Sequence, residues 1–123
     1  MRIFKSKVFN RYARKARLED AALCEAIENA ERGLIDADLG GGVIKQRIAR
    51  QGGGKSGGFR TIILFRAAER AVFIYGFGKN ERDNIRADEL TEFRRLAGVM
   101  LAYSDQEIMS AMESGVLIEV SNG

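Results

Sequence analysis

Apolar residues recur along this chain at helical spacing, then at alternate positions, then at helical spacing again, which predicts helices on either side of a block of strands. Ile3-Phe4 reads as a short opening strand. Ser6 can then cap a helix in which Val8, Phe9, Tyr12, Ala13 and Ala16 fall on one side and Lys7, Arg11, Arg14 and Lys15 on the other. A second helix carries Leu23, Ile27, Ala30 and Leu34 in register, with Glu25, Glu28 and Glu31 pointing elsewhere and Gly33 placed to end it. The two are expected to form an α-hairpin.

Three strands follow. Alternation from Val43 to Ala49 puts Ile44, Gln46 and Ile48 on one face and Lys45 with Arg47 on the other. Phe59 to Arg66 has the continuous apolar middle Thr61-Ile62-Ile63-Leu64-Phe65, as expected of a central strand buried on both faces. A short connection, Ala67 to Arg70, returns the chain antiparallel into a strand where Phe73, Tyr75 and Phe77 share a face and Gly76 and Gly78 loosen the exit. Leu90, Phe93, Ala97, Met100 and Leu101 mark another helix. Ser104 and Glu107 form a capping box for a short one bearing Ile108 and Met112, ended near Gly115, and Val116-Leu117-Ile118 suits a last short strand. A chain of 123 residues is sized for one domain, spanning 1–123.

Charge adds information that periodicity does not hold. The net charge is only +3, but the chain is basic without an acid from Arg2 to Arg17 and acidic, apart from Arg32, from Glu19 to Asp38. From Lys45 to Arg70 Glu69 stands alone among cations, and beyond Arg95 the chain has acids and no base. Basic and acidic zones therefore occupy different elements. The single cysteine, Cys24, cannot form an internal disulfide, and with no histidine and no ligand spacing around it a metal site is not expected. The N-terminus lacks the apolar run of a signal peptide and the apolar stretches are too short to span a bilayer, so a cytoplasmic protein is expected.

The loop Gly52-Gly53-Gly54-Lys55-Ser56-Gly57-Gly58 invites a nucleotide-binding reading, since Gly54-Lys55-Ser56 matches the end of a Walker A motif. The glycine that motif needs at its start is Ala49, and the loop leads into a strand where a phosphate loop must open a helix. A flexible turn between antiparallel strands is one alternative. The other is a phosphate-handling loop: glycines let backbone amides approach a phosphate while Lys55 supplies charge beside Lys45, Arg47 and Arg60.

The order of elements, together with Leu39-Gly40-Gly41-Gly42-Val43-Ile44-Lys45, Gly54-Lys55-Ser56-Gly57-Gly58-Phe59-Arg60-Thr61 and Val72-Phe73-Ile74-Tyr75-Gly76-Phe77-Gly78-Lys79, resembles the HigB-like branch of the RelE/ParE toxin superfamily over nearly the whole chain. The resemblance implies an α+β, microbial-RNase-like fold, with the N-terminal α-hairpin packed on a small antiparallel sheet and helices at the C-terminus. It also implies a type II toxin that cleaves mRNA, usually on the translating ribosome, and a helix-turn-helix antitoxin that neutralises it. ParE relatives share the fold and instead inhibit DNA gyrase, and a basic RNA-binding adaptor without cleavage activity also suits the charge pattern, so fold alone does not fix the activity.

RNA self-cleavage requires a deprotonated 2′-hydroxyl, stabilisation of the phosphorane and protonation of the leaving 5′-oxygen. With no histidine available, Lys55 and Lys79, crowded by cations, are the candidates for proton exchange, and Arg60 and Arg82 for holding the phosphate. Lys45 and Arg47 suit the RNA backbone. Tyr75 suits base stacking or placement of the nucleophile, with an aromatic core role as its competitor. Surface pairing with neighbouring acids competes for Arg82. No organic cofactor or metal is expected; relatives use Lys, Arg and sometimes Tyr.

Overall fold

The structure, a computed structural model, describes residues 1–49 and 58–121. Its elements run β1 (Arg2–Ser6), α1 (Lys7–Ala16), α2 (Asp20–Glu31), β2 (Ala37–Gly40), β3 (Val43–Ile48), β4 (Phe59–Arg66), β5 (Arg70–Gly78), α3 (Ala87–Met100), α4 (Asp105–Glu113) and β6 (Leu117–Glu119). Ser6 starts α1, its Oγ accepting the Phe9 amide at 3.1 Å. Ser104 and Glu107 cap α4 reciprocally: the Glu107 amide donates to Ser104 Oγ at 3.1 Å and the Ser104 amide to Glu107 Oε1 at 2.8 Å.

The strands make one six-stranded sheet in the order β2-β3-β4-β5-β1-β6. The expected antiparallel meander of β3, β4 and β5 is its centre, but the sheet is mixed, because β1 lies parallel to β5, with Phe4 opposite Val72. A parallel neighbour needs a long crossover, and the whole chain from α1 to β4 supplies it. The edge strand β2 was not expected. Neither was the end of α2 at Glu31, which leaves Leu34 outside the helix and 61% exposed. What Leu34 contributes is its carbonyl, which accepts from the buried Gln46 amide at 3.1 Å; Gln46 also donates to the Ala26 carbonyl and accepts the Asp36 amide. That amide fixes α2 and the start of β2 against β3.

The sheet is covered on both faces. One face carries Ile3, Ile44, Ile63, Phe73 and Phe59 under α1 and α2, whose Phe9, Ala13, Leu23 and Ile27 complete the cluster. The other carries Phe4, Val43, Ile62, Leu64 and Val72 under α3 and α4, with Ala97, Met100 and Ile108.

A bulge in β5 decides which face each aromatic residue takes. Ile62 lies opposite Tyr75 but Ile63 opposite Phe73, so Ile74 is an extra residue in β5. Phe73 therefore joins the α1–α2 core while Tyr75 packs on the α3 side, and the expectation that Phe73, Tyr75 and Phe77 share a face fails at this point. Gly76 turns toward α1, where a Cβ would lie 2.6 Å from Tyr12 Cε2; its role is close approach of the helix, not a loosened exit.

Two features seat α3. Gly40, Gly41 and Gly42 all have positive φ, and a Cβ on Gly41 would lie 3.0 Å from Arg94 Cγ, so this turn is shaped to receive the helix. At the other end, Arg70 Nη1 donates to the Met100 and Tyr103 carbonyls at 3.0 Å and Arg66 Nη1 to Leu101 at 3.0 Å, satisfying carbonyls the helix leaves open. Among the described residues no helix is long and apolar enough to cross a membrane.

Candidate nucleic-acid interface

On the α3 side of the sheet, the strands bring basic residues into register. Arg47 of β3 lies opposite Arg60 of β4, and Arg60 opposite Phe77 of β5; in the next row Lys45 lies opposite Ile62, and Ile62 opposite Tyr75. Ile62 and Tyr75 belong to the α3-side cluster, and alternation from them places Lys45, Arg47 and Arg60 on that same side. Directly opposed residues on one face have Cβ atoms about 4.5–5.5 Å apart, close enough for like charges to repel. Among the described residues, neither Arg47 nor Arg60 has an ion pair.

These two arginines also border a cleft of about 620 Å³ beneath α2. Glu25 and Asp36 line that cleft, which makes it a poor seat for a polyanion.

The segment after β5 folds over the end of this face. The Gly78 amide donates to Glu81 Oε1 at 2.9 Å, which tightens the turn and makes Glu81 a structural acceptor. Lys45 Nζ lies 3.4 Å from Asn84 Oδ1, tying the segment to β3. Arg82 is the most connected residue here. Its Nε donates to the Asn84 carbonyl at 2.9 Å, Nη1 to the Tyr75 hydroxyl at 2.9 Å and to Glu89 Oε2 at 3.2 Å, and Nη2 to Glu89 Oε1 at 2.6 Å. Its guanidinium also stands over the rings of Tyr75 and Phe77, 5.7 Å and 5.5 Å from their centroids.

Glu89 lies in the first turn of α3, where its Oε1 also accepts the Arg86 amide at 2.7 Å. The Arg82 guanidinium, with that amide, holds the Glu89 carboxyl at about 2, and Glu89 in turn raises the pKa of Arg82, with a smaller contribution from the Tyr75 hydroxyl.

The sequence candidates thus divide. Lys45, Arg47, Arg60 and Tyr75 are brought onto one face. Tyr75 is half-buried, with Phe77 and Phe93 at 6.0 Å and 5.8 Å, so most of its ring is packed and its hydroxyl is what it offers. Arg82 joins the group through Tyr75. Its carboxylate partner is not one of the acids adjacent in sequence but Glu89, seven residues on, from another element. Lys79 is exposed just beyond β5, its amide donating to the Gly58 carbonyl at 3.3 Å. Lys55 lies outside the described residues. Sequence reasoning missed Glu89 and Asn84; an acid in a first helical turn is so common that Glu89 carried no distinguishing signal. Among the described residues, no three His, Cys, Asp or Glu side chains gather as metal ligands would.

The mixed α+β fold, with this sheet and four helices among the described residues, fits a RelE-like fold. The family model for the RelE toxin of the RelE/RelB toxin-antitoxin system matches residues 1–120, and the chain belongs to that family. No curated protein matches it. Membership makes the protein the toxin half of a toxin-antitoxin pair and implies a cognate antitoxin.

Proposed function

We propose that this toxin, of the HigB-like branch, is an endoribonuclease that cleaves mRNA on translating ribosomes in the cytoplasm, without a metal or organic cofactor, and is neutralised by a helix-turn-helix antitoxin. The observation that carries the reading is the Arg47–Arg60 pair. Two guanidiniums placed opposite one another repel, and the repulsion is relieved when an anion lies across them. A phosphodiester fits, with Lys45 one row along to take the next.

In this reading the 2′-hydroxyl oxygen attacks the neighbouring phosphorus and the bond to the 5′-oxygen breaks, giving a 2′,3′-cyclic phosphate and a 5′-hydroxyl. The proton leaves the 2′-oxygen and one is delivered to the 5′-oxygen. Arg60 and Arg47 stabilise the charge that builds on the phosphorane, where preorganised donors have most effect. Lys79, just beyond β5, and Lys55, which lies outside the described residues, are the proton-exchanging groups, and Tyr75 supplies a hydroxyl to place the ribose.

The test is a transcriptome-wide map of new RNA 5′ ends after brief induction, comparing the natural chain with Arg60→Ala and Lys55→Ala. Ends inside coding regions, in step with the reading frame and lost in both variants, are expected. Growth arrest without new ends would reject cleavage and make gyrase the target to examine.

A further inference from the structure

Arg82 is the cation a sequence-based reading assigns to the phosphate, yet its hydrogen bonds occupy all but one of its N–H donors. A guanidinium so engaged has no free fork for a phosphate. Gripping one bidentately would mean giving up Glu89, whose carboxylate already makes the two-pronged contact. The geometry suits a different task. Because Arg82 Nη1 donates to the Tyr75 hydroxyl, a lone pair of that oxygen is taken and its own proton is turned away from the guanidinium, on a residue that shares its sheet face with Lys45, Arg47 and Arg60.

We propose that Glu89 is a positioning residue for the RNA-cleaving site: its two carboxylate oxygens hold Arg82 against Tyr75, so that the phenolic hydroxyl, and not the guanidinium, is what this end of the sheet presents to RNA. The inference rests on the cleavage reading above. Glu89 is well placed for the task because it belongs to a helix and not to the segment that carries Arg82. α3 is fastened to the sheet through Phe93, Arg94 and the Arg66 and Arg70 contacts, so the rigidity of the helix passes through Glu89 to Arg82 and on to Tyr75. Ionised throughout the neutral range, the carboxylate keeps this hold wherever translation proceeds.

A purely structural role competes, since Glu89 also accepts the Arg86 amide at the start of α3. Glu89→Gln separates the two: it keeps length and an oxygen acceptor for that amide but loses the charge and one acceptor for Arg82. Arginine side-chain nitrogen–proton spectra of the full chain, with Arg82→Ala identifying the signals, should show separate, slowly averaging Arg82 Nη signals in the natural chain and merged ones in Glu89→Gln. Single-turnover cleavage of ribosome-bound mRNA should slow by on the order of tenfold to a hundredfold in Glu89→Gln, with the half-saturating concentration unchanged. The double variant Glu89→Gln/Arg82→Ala should be no slower than Arg82→Ala alone, because both remove one link.

Full-rate cleavage by Glu89→Gln, unchanged Arg82 signals in it, or losses that multiply in the double variant would each overturn the proposal. A natural chain that cleaves no mRNA, yet whose Arg82 signals merge in Glu89→Gln, would overturn the cleavage reading and support the Glu89–Arg82–Tyr75 linkage by itself.

Discussion

The position of Tyr75 depends on a contact made on the other side of the sheet, and Gly76→Ala tests that dependence. A methyl group at Gly76 would lie 2.6 Å and 2.7 Å from Tyr12 Cε2 and Cδ2 and 3.1 Å from Phe9 Cε1. The first two fall short of ordinary carbon contact by close to an ångström. The Tyr12 ring has little room to retreat, since Phe9 and Phe59 stand 6.1 Å and 6.3 Å from it, centroid to centroid. Either α1 lifts or β5 moves toward α3. Overpacking of this kind costs about 1–3 kcal/mol, and Ala returns about 0.4–1 kcal/mol by restricting the unfolded chain, so a net loss of about 1–2 kcal/mol is expected. Urea unfolding should show it as a lower midpoint at unchanged slope, and thermal unfolding as a fall of roughly 3–8 °C.

The decisive measurement is the same substitution in a Tyr12→Ala background, where the clashing ring is gone and Gly76→Ala should become neutral or slightly stabilising. Equal cost in both backgrounds, within about 0.5 kcal/mol, would refute the reasoning. If β5 is the element that yields, Tyr75 moves with it, and Gly76→Ala should slow cleavage even under conditions where the chain is fully folded.

Three further outcomes follow from the structure. Arg47→Gln and Arg60→Gln should each reduce the salt dependence of binding to a labelled oligoribonucleotide, measured by anisotropy, by a slope of about 0.7, while leaving stability unchanged or raised by a few tenths of a kcal/mol as repulsion is removed; an unchanged slope would take that residue off the RNA surface. Asp20 is held below its ordinary value because the Ser121 amide and Lys5 outweigh burial, Glu119 is lowered by Arg2, and Glu89 lies at about 2, so all three give stability that is complete above their unfolded values, near pH 4, and is lost as pH falls. The urea midpoint should therefore drop between pH 6 and pH 3, and a flat profile would contradict these pairings. Gly41→Ala combines a φ of 64° with the Arg94 contact and should cost about 1–2 kcal/mol, of which Arg94→Ala restores only the contact's share; full restoration would show that backbone conformation is not limiting.

Local signals were legible in the chain, and features made by distant partners were not. The Ser6 cap, the Ser104–Glu107 box and the alternation of β3 depend on neighbours within a few residues, and each is where the pattern puts it. The parallel β1–β5 pair and the edge strand β2 depend on pairing across the chain, about which hydrophobic period is silent. The bulge at Ile74 is the costliest blind spot. One unpaired residue reverses the alternation that β5 otherwise keeps, and it sends Phe73 and Tyr75 to different cores.

The same division runs through the basic block from Lys45 to Arg70. In sequence its arginines are equivalent; in the fold they are sorted by whether an acceptor reaches them. Arg66 and Arg70 find the carbonyls at the end of α3 and become part of its cap. Arg82, just beyond the block, finds Glu89, whose two carboxylate oxygens it meets with Nη1 and Nη2. Arg47 and Arg60 lie opposite each other, and among the described residues neither guanidinium has an ion pair, Asp36 accepting only the Arg47 backbone amide, at 2.6 Å. Charge alone does not single out a binding cation; charge that the fold gathers and leaves unmatched does, and the anion that answers Arg47 and Arg60 is therefore sought outside the chain.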